Sequence, residues 1–208
     1  MDPVNPTDAL ILVDIQNDFC PGGALAIAEG DQVVPVANAV MDRFSTIVLT
    51  QDWHPADHQS FASRHPGKGP FETMAFPYGE QTLWPDHCVQ GTPGAAFHPD
   101  LNLNPAQLVI RKGFRSAVDS YSAFQENDQQ TKTGLAEWLR ARGVTRVFSL
   151  GLAYDFCVRF TAEDALAAGF QSVLISDGCR SVDLAGSKQA AQEAFTAKGI
   201  AEVPSTGL

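Results

Sequence analysis

The sequence predicts an α/β fold: a three-layer α/β/α sandwich around a six-stranded, mainly parallel sheet with strand order 3-2-1-4-5-6. Three observations carry that expectation. Short β-branched runs recur along the chain, they are continuously apolar rather than alternating, and helix-length segments separate several of them. Continuous apolarity marks strands covered on both faces, and alternation of strand with helix implies right-handed crossovers with helices on both sides of the sheet.

Taken in order, the first strand is DALILVDI (8–15), an apolar run that ends on an acid. DQVVPVANAVMDRF (31–44) follows as a helix and STIVLT (45–50) as the second strand. The alternation then breaks into about 55 residues, 51–106, rich in Pro, Gly and His. That is too long for an idle loop in a compact domain and suggests a functional excursion. QLVIRK (107–112) is the third strand, KTGLAEWLRARG (132–143) a helix, and TRVFSLG (145–151) the fourth strand. FCVRFTAEDALAAG (156–169), QSVLISD (171–177), GSKQAAQEAFTAKG (186–199) and a weaker IAEVPS (200–205) complete the pattern as helix, strand, helix and strand. The helical segments are amphipathic or Ala-rich, and three of them reach a glycine placed to stop them.

With 208 residues, 44% of them hydrophobic, the chain suits one well-buried domain spanning 1–208. Its formal charge of −10 repels phosphate backbones and anionic lipid, which argues against nucleic acid and membrane surfaces as partners. No apolar stretch reaches the ~18 to 20 residues of a membrane span, and the start lacks the basic region of a secretory signal. Four scattered cysteines fit a reducing compartment, so the expected location is the cytoplasm.

In open parallel sheets, ligands sit beyond the carboxyl ends of the strands, near the point where strand order reverses. The residues leaving the first four predicted strands hold most of the reactive chemistry. Cys157 lies where a strand gives way to a helical pattern, and a thiol in the first turn of a helix is biased toward thiolate. Cys20, Cys88 and Cys179 read as buried apolar residues. Asp14, ending an apolar strand, is a candidate base for the thiol. Lys112 ends another strand, and a lysine beside both would keep the carboxylate ionised and stabilise the thiolate.

The stretch LTQDWHPADHQSF (49–61) adds a second constellation. Asp52 and His54, two apart in an extended exit, project to one side. His87, in LWPDHCVQGTPG, can return from the excursion as a third ligand. One Asp with two His suits Zn²⁺, Fe²⁺ or Mn²⁺ rather than Ca²⁺. His58 is open between fourth ligand and supporting group. His65 and His98, each followed by proline, read as turn or surface residues.

The chain resembles the nicotinamidases (nicotinamide and pyrazinamide deamidases) within the isochorismatase-like cysteine hydrolases. The resemblance is carried by ALILVDIQNDFCPGGAL (9–25), DWHPADHQSFAS (52–63), LWPDHCVQGTPGA (83–95), the lysine of IRKG (110–113), DSYSAF (119–124) and GLAYDFCV (151–158). It implies a catalytic triad of Asp14, Lys112 and Cys157, and a divalent metal on Asp52, His54 and His87, joined in some members by a residue at the place of His58. It further implies a ring slot between Phe19 and Trp84 with Tyr121 close by, and Gln16 and Tyr154 among the substrate contacts. An oxyanion hole would come from the backbone of Ala153 and Cys157, at a bend with a non-proline cis peptide expected at Ala153–Tyr154. Tyr154 stands where relatives usually carry Thr. The implied partner is nicotinamide, the implied product nicotinate in NAD salvage, and the oligomeric state, a homo-oligomer included, is left open. Three alternatives compete with this reading. One is another small-amide or N-carbamoyl hydrolase of the same fold, which need not keep the metal trio. Another is an amidase in which metal-bound hydroxide attacks directly. The last is a non-catalytic binding module, which should have lost a triad residue.

Overall fold

A computed structural model describes residues 2–208. Six strands form one sheet, β1 (Asp8–Val13), β2 (Thr46–Asp52), β5 (Leu108–Lys112), β6 (Arg146–Leu152), β7 (Gln171–Arg180) and β8 (Ala201–Val203), in the order β5-β2-β1-β6-β7-β8. Every pair in it is parallel. Counting only these six, the order is the 3-2-1-4-5-6 expected from the sequence. Helices α1 (Val33–Met41), α2 (Leu135–Arg140), α3 (Arg159–Ala167) and α4 (Ser187–Lys198) fall within the four predicted segments.

β1, β2 and β6 are buried along their whole lengths and form the centre of the core, with Leu10 in register with Ile47 on one side and Phe148 on the other. The expectation of strands buried on both faces fails at the sheet margin. β5 is an edge strand whose Val109 is 45% exposed and whose Arg111 side chain lies over the Trp53 ring. An edge strand has a neighbour on one side only, so cover is incomplete there. Among the described residues, no helix is long and apolar enough to cross a membrane.

The excursion between β2 and β5 holds an element that the sequence reading left out: an antiparallel hairpin, β3 (Thr73–Phe76) and β4 (Gly79–Thr82). The turn FPYG between them, with its Pro and Gly, was the available signal. Leu83 N–H continues the pairing to Glu72 O at 2.8 Å, and Trp84 N–H then donates to Ser60 O at 2.8 Å, so the hairpin delivers Trp84 to the rim of the sheet. The end of the excursion returns to β1, where His98 N–H donates to Ile15 O at 2.9 Å and Asn17 N–H to Ala96 O at 3.0 Å.

Candidate active site

Parallel strands bring their carboxyl ends to one rim, and there β1, β2, β5 and β6 hand over Asp14, Asp52, Lys112 and the turn of Cys157. Asp14 follows β1 with φ +47°, a left-handed conformation uncommon for a residue with a side chain and recurrent at functional sites. Thr50 holds it from both ends: the Thr50 hydroxyl accepts from Asp14 N–H at 3.1 Å and donates to Asp14 Oδ1 at 2.6 Å. Lys112 and Asp52 are register partners on adjacent strands.

Lys112 Nζ is the hub. It lies 2.7 Å from Asp14 Oδ2 and 3.3 Å from Cys157 Sγ, donates to Ser120 O at 2.9 Å, and pairs with Asp52 Oδ1. All four side chains are buried. Burial favours the neutral form of the Asp14 carboxyl; Lys112 opposes this and Asp52 reinforces it, leaving the pKa raised to about 6. For Asp52 burial is overcome by Lys112 and His54, which hold its carboxyl well below the usual range. Lys112 stays protonated, because Asp14, Asp52 and Cys157 outweigh the burial that would discharge it. The bias toward thiolate expected at Cys157 is corrected here. Burial pushes the thiol well above its ordinary pKa, and Asp14 and Asp52 add to the effect while Lys112 opposes it. Rather than opening a regular α-helix, Cys157 sits in a π-helical turn (Tyr154–Val158) ahead of α3, so desolvation dominates over the helix end. Cys157 therefore stands as a buried thiol in the same cluster as the Asp14 carboxyl.

The second constellation assembles because the excursion docks on the exit of β2. His54 N–H donates to Cys88 O at 3.0 Å and Gln90 N–H to His54 O at 2.9 Å, which brings His87 back beside His54. Asp52 Oδ2 lies 3.5 Å from His54 Nε2 and 3.7 Å from His87 Nε2. In each ring the other nitrogen is committed: His54 Nδ1 donates to Gly113 O and His87 Nδ1 to Pro85 O, both at 2.8 Å. Two Nε2 lone pairs and a carboxylate oxygen therefore converge on one buried point, each imidazole oriented by a carbonyl behind it, as a divalent cation requires.

His58 does not join that point. Ser60 N–H donates into His58 Nδ1 at 3.2 Å, which leaves the proton on Nε2, where it faces Val118 O at 3.3 Å. Its ring packs beside His54 with centroids 4.5 Å apart, in a group with Asp119, and burial lowers its pKa.

A pocket opens where the two constellations meet. Phe19, Trp84, Tyr121, Ala153 and Cys157 line it, together with Asp52, His54 and His87. Trp84 Nε1 donates to Tyr121 Oη at 3.1 Å, fixing the two aromatic walls to one another. Sequence reasoning missed Phe156, which meets Trp84 edge-on at 4.9 Å, and Leu25, Asp119 and Val182, which also line the pocket. The aromatic next to Cys157 was the only one of these with a visible signal.

Two expected substrate contacts lie elsewhere. Tyr154 points away from the pocket; its hydroxyl donates to Glu202 at 2.7 Å and its ring meets Phe195, because successive side chains of the tight turn diverge. Gln16 is fully buried and spent on main chain, accepting from Asp52 N–H at 2.8 Å and donating to Asp52 O and Ala95 O at 2.9 Å. It holds Asp52 in place instead of facing the cavity. The cis peptide is Leu152–Ala153, one bond earlier than expected, since β6 runs on to Leu152 and the bend begins there.

Gly113 shows how closely the site is fitted. Its φ is +64°, and a Cβ on it would stand 2.3 Å from His54 Cε1. Gly113→Ala should displace the ring from its carbonyl partner and weaken divalent-metal binding about 10- to 100-fold in a chelator competition titration. Unchanged affinity would show that His54 is not a ligand.

The isochorismatase domain matches residues 8–206. The chain is 53% identical over 200 residues to a nicotinamidase of Acinetobacter baylyi, covering 96% of this chain and 94% of the relative. A solved nicotinamidase/pyrazinamidase from Acinetobacter baumanii superposes with a TM-score of 0.96 at 50% identity, covering 98% of both chains. The pyrazinamidase of Pyrococcus horikoshii, solved in complex with zinc, gives a TM-score of 0.78 at 39% identity, with 96% of this chain and 99% of that one covered. The chain belongs to the isochorismatase domain family and stands within it among the nicotinamidases.

Proposed function

We propose that this chain is a metal-dependent cysteine amidohydrolase that converts nicotinamide to nicotinate and ammonia in NAD salvage, and that it also accepts pyrazinamide. The single observation carrying the reading is the convergence of Asp14, Lys112 and Cys157 beside a pocket that also holds the Asp52, His54 and His87 donors. The relatives named for this activity support it.

In the proposed reaction the pyridine ring lies between Phe19 and Trp84, with the carboxamide carbon at Cys157. Asp52, His54 and His87 would hold the divalent ion, which when bound would supply an electrophilic anchor for the substrate ring. Zn²⁺ or Fe²⁺ suits this donor set, with Mn²⁺ also compatible. Asp14 takes the thiol proton, and sulfur forms a bond to the carboxamide carbon as the carbonyl electron pair moves onto oxygen. Backbone N–H groups of Ala153 and Cys157 receive that charge. Collapse breaks the C–N bond, Asp14 returns the proton to the leaving nitrogen, and ammonia departs from a thioester. Asp14 then deprotonates water, which displaces the thiolate to give nicotinate, and Asp14 returns that proton to the Cys157 sulfur, restoring the starting state. Lys112 keeps Asp14 ionised and steadies the transient thiolate. Four free thiols fit a cytoplasmic location.

Ammonia release from nicotinamide by purified, metal-loaded protein, with and without a chelator, tests the assignment. Release that the chelator abolishes is expected, and no release from the loaded form overturns it. The base must be ionised to act, so with the Asp14 pKa at about 6, kcat/KM should climb as pH rises through that value and level off above it. A profile flat down to about pH 4.5 would remove Asp14 from the role of base.

A further inference from the structure

Asp155 belongs to the Cys157 turn, yet it does not line the pocket. Its side chain is buried, 1% exposed. Oδ1 accepts from Val182 N–H at 3.0 Å; Oδ2 accepts from Asp183 N–H at 2.8 Å and from the Ser187 hydroxyl. These donors belong to the loop from β7 into the first residue of α4, where Asp183, Ala185 and Gly186 have φ of 55°, 50° and 85°. Such a loop has no ladder of its own, and its two N–H groups at 182 and 183 are held by Asp155. Val182 is the residue of that loop that reaches the pocket. On the other side of the turn, Tyr154 is tied to Glu202 and packed edge-on against Phe195 at 5.4 Å. The segment 154–157 is thus anchored outward by Tyr154 and reaches across to the loop through Asp155.

We infer that Asp155 is a positioning residue that sets the Val182 wall of the ring slot from the nucleophile turn itself. One rigid segment then fixes both the thiol and the Val182 side of the pocket, so slot width and nucleophile position cannot drift apart. The inference rests on the nicotinamide reading of the pocket. It extends that reading from the groups that react to the carboxylate that gauges substrate width.

Asp155→Asn keeps the volume but turns an NH₂ toward loop donors, leaving at least one without an acceptor. The expected result is a KM for nicotinamide raised about tenfold with kcat held within about threefold, because ring binding is lost while the thiol chemistry stays. Hydrogen exchange at the Val182 and Asp183 amides should quicken about tenfold or more. Ser187→Ala, a milder removal of one donor, should raise KM and exchange less, and it decides the question if Asp155→Asn does not fold. Retained protection at 182 and 183, or faster exchange with KM unmoved, overturns the inference, as does a fall in kcat at constant KM. Absence of ammonia release by the unsubstituted protein would strike the substrate reading instead, and the exchange measurement would then decide the role of Asp155.

Discussion

Cys157→Ala should abolish turnover while leaving ligand binding intact. The sulfur is the nucleophile of the proposed reaction; Cys157 lines the pocket and its Sγ lies 3.3 Å from Lys112 Nζ. Removing the nucleophile of a covalent hydrolase leaves only binding and electrostatic catalysis, so the expected loss in kcat is on the order of 10⁴-fold or more. Calorimetric binding of nicotinamide should persist, since Phe19, Trp84, Tyr121 and the Asp52, His54 and His87 donors are untouched. The main competing chemistry delivers hydroxide from the metal and needs no thiol. Hydrolysis by the variant within about a hundredfold of the parent would favour that route and end the covalent one.

Lys112→Met should be the most damaging single change to stability, and it should also impair turnover. The ammonium is fully buried between two carboxylates, and methionine fills a similar volume without charge. Breaking a buried pair by deleting one partner costs about 3–5 kcal/mol, because the remaining charge has no compensation. Here two acids, Asp14 and Asp52, would face each other. Each would then favour its protonated form, so Asp14 could no longer serve as base, and turnover should fall about 10³-fold or more. The direction with pH follows from linkage. Acids whose folded-state pKa lies above the unfolded value lose stability as pH rises through the folded pKa, so the variant should be more stable to denaturant at about pH 5 than at pH 7. Unchanged stability at pH 7 would mean that Lys112 does not hold this cluster together.

The six strands and the four helices follow from local pattern, because an apolar run long enough to cross a parallel sheet has few other places to go; their order in the sheet does not. The reactive residues stood out for the same reason: Asp14, Asp52 and Lys112 are charges at the ends of apolar strands, where an idle charge has no cause to be. Strand exits on one rim bring them together whatever the details of the loops between. The imidazoles were legible as types, and how they were used was not. The sequence leaves His58 open between ligand and supporting group, and only the fold shows Ser60 and Val118 at its two nitrogens.

What the tertiary structure alone decided concerns direction and burial. Tyr154 and Phe156 are two apart in a tight turn, and only its torsions determine that Phe156 enters the pocket while Tyr154 reaches Glu202. The resemblance places Gln16 among the substrate contacts, yet its amide is consumed by the main chain of Asp52, 36 residues away. The protonation of Cys157 was misjudged from its place near a helix start, since desolvation depends on everything packed around the sulfur and no stretch of sequence encodes it. Identity and spacing fix which groups arrive at the rim; the side to which each one turns, and how much water it keeps, is settled by contacts between segments far apart in the chain.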